Sequence, residues 1–156
     1  VKSSKLFRVL LMVVAMLNIN SNAYSLCLDP DTNISGYKKS LSKEVSEHDS
    51  IIIGEVIGNN PLQVDGSDPE GVTAMIYTVK AIKPLKGNTP RIFRVQVEND
   101  SSRYPMKKGE KHILFLLSED EHYLVDSCGN STPLPDGDKV VKQVQKLLAN
   151  KVHHHP

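Results

Sequence analysis

Tryptophan is absent from this sequence, and three Phe and five Tyr are its only aromatic rings besides histidine, so a core built from it must be filled mainly by Ile, Val and Leu. Cysteine is almost as scarce, with Cys27 and Cys128 alone. Two cysteines at opposite ends of a chain, without a flanking His pair, make a poor zinc set. No apolar run reaches the ~20 residues that span a bilayer. Charge of one sign is not in excess either, since 19 basic residues face 18 acidic ones, and that balance argues against a nucleic-acid binder. No internal repeat is visible. The carboxylates of Asp65 to Glu70 fail the spacing of an EF-hand, and Lys83 to Asn88 holds one Gly and two Lys without the helix a phosphate loop requires.

What is present begins with Lys2, Lys5 and Arg8 ahead of an apolar run from Val9 to Leu17, followed by Ser21-Asn22-Ala23. That arrangement predicts a secretory signal peptide over residues 1–23, cleaved after Ala23. Cys27 follows Tyr24-Ser25-Leu26, which lack the small residues that precede a lipidated cysteine. Cleavage removes three basic residues and no acidic one, leaving 16 against 18 in the remainder. In an exported protein an even cysteine pair predicts a disulfide, Cys27 to Cys128, in preference to two free thiols. The length that remains, residues 24–152, suits one domain with one core, and His153-His154-His155-Pro156 reads as a frayed tail.

Along the chain, Tyr37, Leu41, Val45 and His48 recur at helical spacing and predict a short amphipathic helix from Ser35 to His48, with Lys38, Lys39, Lys43, Glu44 and Glu47 largely on its solvated faces. Ile51 to Gly58 is rich in β-branched residues and predicts a strand, with Gly54 and Gly58 marking bulges or strong curvature. A strand from Val72 to Ile82 has two partly apolar faces. Arg91 to Glu98 alternates cleanly, burying Phe93, Val95 and Val97. Asn99 to Lys108 is polar and predicts a long exposed loop. Gly109 to Cys128 then predicts a hairpin whose first strand, apolar on both sides from His112 to Leu117, is the most central of the sheet. The acidic turn Ser118 to Glu121 leads to a return strand that delivers Cys128. Gly129 to Pro135 breaks regular structure, and Asp136 can cap a C-terminal helix with Val140, Val141, Val144, Leu147, Leu148 and Val152 on one stripe. That stripe is expected to pack on the domain itself, giving a monomer.

An early Cys, a short helix, five strands and a late Cys just after the fifth strand resemble bacterial secreted proteins with a TIMP-like or netrin-module-like OB-fold. The residues that carry the resemblance are Ile51 to Gly58, the strand end Val79-Lys80-Ala81-Ile82-Lys83-Pro84-Leu85-Lys86-Gly87, then Gly109 to Leu116, and Tyr123-Leu124-Val125-Asp126-Ser127-Cys128-Gly129. The resemblance implies a mainly β fold, a five-stranded OB-like barrel with a short N-terminal helix and a C-terminal amphipathic helix. In tissue inhibitors of metalloproteinases the chain begins with a Cys whose free amine and carbonyl chelate the protease zinc. Tyr24-Ser25-Leu26 stand ahead of Cys27 here, so that mechanism would require cleavage immediately before Cys27.

No catalytic set emerges, because a nucleophile needs an adjacent base and an orienting acid, and His48, His112 and His122 are isolated in sequence. No cofactor or metal is expected. The reading is therefore an exported, non-catalytic binding module for an unknown protein, peptide or glycan outside the cytoplasm, with no nucleic acid and no membrane span after signal cleavage. Two alternatives remain open, a metalloprotease inhibitor using its N-terminal arm and an envelope structural or assembly component. The expected contact residues are Leu28, Asp29 and Pro30 of the arm with Arg103 and Tyr104 of the long loop.

Overall fold

Eight elements appear in the computed structural model, which describes residue 27 and residues 38–63, 71–99 and 103–152. The expected signal peptide and the His-rich tail lie outside the described residues. Helix α1 (Leu41–Glu47) is followed by strands β1 (Ser50–Gln63), β2 (Val72–Lys86), β3 (Ile92–Glu98), β4 (Lys111–Glu119), β5 (His122–Leu124) and β6 (Thr132–Pro133), and then by helix α2 (Asp138–Val152).

The strands close on themselves. β1 pairs antiparallel with β2, β2 antiparallel with β3, β3 parallel with β5, β5 antiparallel with β4, and β4 antiparallel with β1. This is a five-stranded closed ring of OB-like order, which removes the free edges an open sheet would expose. β1 can serve two neighbours because Ser50 to Glu55 pairs with β4 while the whole strand runs against β2. The register against β2 shifts at Ile53/Gly54 and at Val56/Gly58, so both glycines mark irregularities, as their place in a β-branched run predicts. Gly54 is also required by space: a Cβ there would overlap Val79 Cγ1 and sit 3.0 Å from Ile52 Cδ1.

Strict alternation sorts the side chains into two cores. Ile52, Val56, Tyr77, Val79, Phe93, Val95, Leu114 and Leu116 fill the ring. Val45, Ile51, Ile113, Phe115 and Val144 form a second layer between the ring and the two helices. β4 contributes to both, with Ile113, Leu114, Phe115 and Leu116 all at 0% exposure, and each such side chain contributes about 1.5–3 kcal/mol by leaving water. The stripe of α2 packs on the domain through Val140, Val141, Val144, Leu147 and Leu148. No helix among the described residues is long and apolar enough to cross a membrane.

Five expectations are corrected. The first helix begins at Leu41, and Lys38 to Ser40 are not helical. The reason is local: the Lys39 N–H donates to the Cys128 carbonyl at 3.2 Å and the Lys39 carbonyl accepts from Asn130 Nδ2 at 2.9 Å, so neither group is free for a helical ladder. Glu44, expected on a solvated face, is wholly buried. The loop expected to be exposed through Lys108 turns inward at Met106, which joins the ring core. Finally, Thr132 and Pro133 pair with Ile113 and His112 as a short edge strand where a proline is tolerated. The Gly137 carbonyl, rather than Asp136, opens α2 by accepting the Val141 N–H at 3.0 Å.

Candidate functional site

The ring is thinnest where β3 meets β5. That parallel seam consists of two residue pairs, Val95 with Tyr123 and Gln96 with Leu124, after which the two strands diverge. An open groove of about 180 Å³ lies beyond the seam, lined in part by Gln96, Glu98, Arg103, Tyr104, Asp126 and Ser127. A second open groove of about 350 Å³ lies at the other end of the seam, where Ile92 and Arg94 of β3 approach Asp120, Glu121 and His122 at the β4–β5 turn.

Each polar wall of the first groove is held from behind. Tyr104 Oη lies 2.9 Å from Nδ1 of His112, and the two rings meet edge to face at 5.7 Å. His112 is 1% exposed, and its Nε2 lies 3.3 Å from Glu110 Oε2, near enough for attraction but off the line of a hydrogen bond. Arg103 Nη1 donates to Asn99 Oδ1 at 2.8 Å and remains exposed. Asp126 accepts the Cys128 N–H through Oδ1 at 2.9 Å, while its Oδ2 pairs with Lys39 Nζ at 3.1 Å. Burial works against the Lys39 ammonium, yet Asp126 and Glu47 together outweigh it and raise its pKa.

A carboxylate, an imidazole and a hydroxyl in line invite comparison with a catalytic triad, but the chemistry runs the other way. A nucleophilic phenol needs a lowered pKa. Burial, with Glu110 adding to it, pushes the Tyr104 phenol well above its ordinary range. Burial also lowers the pKa of His112, against the opposing pull of Glu110. The pair therefore holds a neutral phenol donating to a neutral ring, which pins the Arg103–Tyr104 segment onto β4.

Cys27 and Cys128 are joined in a disulfide that closes a sequence separation of 101 residues, with Cα atoms 5.5 Å apart. Ser127 of the groove is the immediate neighbour of that bond. Two of the five expected contact residues, Arg103 and Tyr104, thus stand in one groove next to the disulfide. Leu28, Asp29 and Pro30 lie outside the described residues. Asp126, Ser127, Gln96 and Glu98 had not been singled out from sequence. For Asp126 a signal existed, because Asp two residues before a turn N–H is the Asx-turn arrangement that Asp126 makes with Cys128.

Behind the disulfide lies a second polar cluster. Glu44 Oε2 accepts from the Asn130 backbone N–H at 2.8 Å and from Asn130 Nδ2 at 2.6 Å. Glu44 Oε1 has no hydrogen-bond partner, and His48 Nε2, equally unpartnered, is 4.0 Å away. His48 Nδ1 faces the Glu44 carbonyl at 2.9 Å and so carries its hydrogen. Burial raises the Glu44 pKa, with the Asn130 hydrogen bonds and His48 opposing it and Asp126 adding to it. This cluster is sealed from solvent and ties α1 to the segment after Cys128.

The histidines do not converge: His48 packs on Phe115 in the outer layer, His112 on Tyr104, and His122 beside Glu119 at the β4–β5 turn. Among the described residues no group of three or more His, Cys, Asp or Glu is placed to hold a metal ion. No family model matches this chain, and no curated protein matches it either.

Proposed function

We propose that the protein is an exported, non-catalytic binding module that seats part of a larger partner, a protein, peptide or glycan, in the groove beside the disulfide. The observation that carries this reading is the convergence of Arg103 and Tyr104 with Asp126 and Ser127 next to Cys128. At about 180 Å³ the groove is smaller than the ~300–1,000 Å³ typical of small-molecule sites. It is open, carries charges of both signs, and matches a single side chain or sugar ring presented by a larger body. A protein with a closed disulfide belongs to an oxidising compartment, which supports export. The proton-retaining Tyr104–His112 pair and the joining of both cysteines support a binding role over catalysis.

The test is site-specific photo-crosslinking in the exporting cell. A photoreactive residue in place of Arg103 or Ser127 is expected to give a discrete adduct. The same residue at Lys142, exposed on α2, gives none. Arg103→Glu combined with the Ser127 probe is expected to abolish the adduct. Equal adducts from groove and α2 positions, or none from either groove position, would reject the groove as the contact surface.

A further inference from the structure

The balanced overall charge conceals a local asymmetry. From Gly71 to Val97 the chain carries five basic residues, Lys80, Lys83, Lys86, Arg91 and Arg94, and no acidic one. All five fall on β2, β3 or the turn between them. Lys86 is used internally, its Nζ donating to the Val45 carbonyl at 2.8 Å and also to the carbonyls of Ser46 and His48. The other four are exposed and have no ion-pair partner among the described residues.

The hairpin register gathers them with apolar side chains. Lys80 stands directly opposite Ile92, and Thr78 opposite Arg94. Val79, Phe93 and Val95 fill the ring interior, so Lys80, Ile82, Ile92 and Arg94 share the outer face. Ile82 is 46% exposed and Ile92 56%, two of the three large apolar side chains left exposed among the described residues. The patch has limits: Glu55 opposes Lys80 from β1, and Asp120 and Glu121 face Ile92 and Arg94 across the second groove.

We propose that this face docks on an anionic phospholipid surface, with Lys80 and Arg94 against the headgroups and Ile82 and Ile92 entering the interface. A cationic face with exposed aliphatic side chains needs no shape-matched partner on a membrane, where basic residues are attracted to anionic lipid and apolar side chains leave water. A glycan polyanion offers no apolar medium for the isoleucines. Nucleic-acid bases call for stacking on aromatic rings, and this face presents none. The surface is separate from the groove beside the disulfide, and its role stands or falls independently.

Exported protein with its disulfide closed is sedimented with phosphatidylcholine vesicles, alone or with phosphatidylglycerol added. The expected result is binding only to the anionic vesicles, weakened by salt. Loss of each basic residue weakens binding about fivefold, so Lys80→Gln with Arg94→Gln weakens it about 25-fold. Ile82→Ser with Ile92→Ser also releases the protein, while Lys142→Glu on α2 leaves binding unchanged. Non-reducing mass and thermal melting identify any variant that has lost its fold, in which case the single Arg94→Gln and Ile92→Ser forms are used. Failure of the wild type to sediment with anionic vesicles, binding indifferent to phosphatidylglycerol, or folded variants that bind as wild type would overturn the proposal. So would equally tight binding to polyglutamate that survives the Ile→Ser changes, which would assign the face to an acidic protein.

Discussion

Tyr104 Oη sits 2.9 Å from His112 Nδ1, and the arrangement assigns the hydrogens of both groups. The phenol donates, the ring nitrogen accepts, and the imidazole hydrogen is left on Nε2, on the side of Glu110. Replacing Tyr104 by Phe keeps the ring contact but leaves a buried nitrogen without a donor, a loss of about 1–3 kcal/mol. The midpoint of denaturant unfolding should fall accordingly, with no change in the slope.

Two buried groups give stability opposite pH dependences. The folded His112 pKa is lowered by burial from 6.5. The unfolded chain therefore binds the proton more readily, and the contribution of His112 is present above pH 6.5 and lost as the pH falls from there through its folded value. The folded Glu44 pKa is raised by burial from 4.5. Its contribution is complete below pH 4.5 and lost as the pH rises through its folded value. Glu44→Gln removes that second loss while keeping an oxygen for Asn130. In unfolding measured between about pH 4 and about pH 8, the variant should gain on the wild type as the pH rises above 4.5, the gain levelling off once the pH exceeds the folded value of Glu44. A constant difference would contradict the assignment.

The Glu44–Asn130 contact also leaves no room at its neighbour. A Cβ on Gly129 would overlap Glu44 Oε1 and lie 3.0 Å from the Asp126 carbonyl. Gly129→Ala should therefore cost about 1–3 kcal/mol by overpacking. Asn130→Ala, which removes the side-chain bonds to Glu44 and to the Lys39 carbonyl, should cost about 2–3 kcal/mol. In the double variant Gly129→Ala with Glu44→Ala the overlap is gone, so the two losses should fall short of their sum. Additive losses would show that the crowding lies elsewhere.

Opening the disulfide frees a closed separation of 101 residues, which on the chain-entropy account costs up to about 4.7 kcal/mol. Denaturation with and without reductant should show a lower midpoint in the reduced form. Non-reducing peptide mapping should recover Cys27 linked to Cys128; two free thiols in the native protein would refute the pairing.

The ring was legible where local pattern and tertiary demand agree. Arg91 to Glu98 alternates because one face meets the core, and β4 is apolar on both sides because it lies between two cores. Gly54 and Gly58 announced the irregularities of β1. The rest was hidden by partners distant in sequence. Glu44 has the spacing of a solvated helix charge, and only Asn130, 86 residues later, draws it inside. The helix start was misplaced because the periodicity continues upstream, whereas the Lys39 backbone is claimed by Cys128 and Asn130. Of the groove, Arg103 and Tyr104 stood out as a cation and an aromatic in a polar loop. Gln96 and Glu98 looked like the outward half of an ordinary strand, since nothing local says where its parallel partner ends.

Cys128 holds the chain twice, through its sulfur to Cys27 and through its carbonyl to the Lys39 N–H. The short stretch of chain after β5 is therefore a mooring for two separate places in the sequence, Cys27 by a covalent bond and Lys39, just ahead of α1, by a hydrogen bond. Reductant would cast off the first line and leave the second made fast.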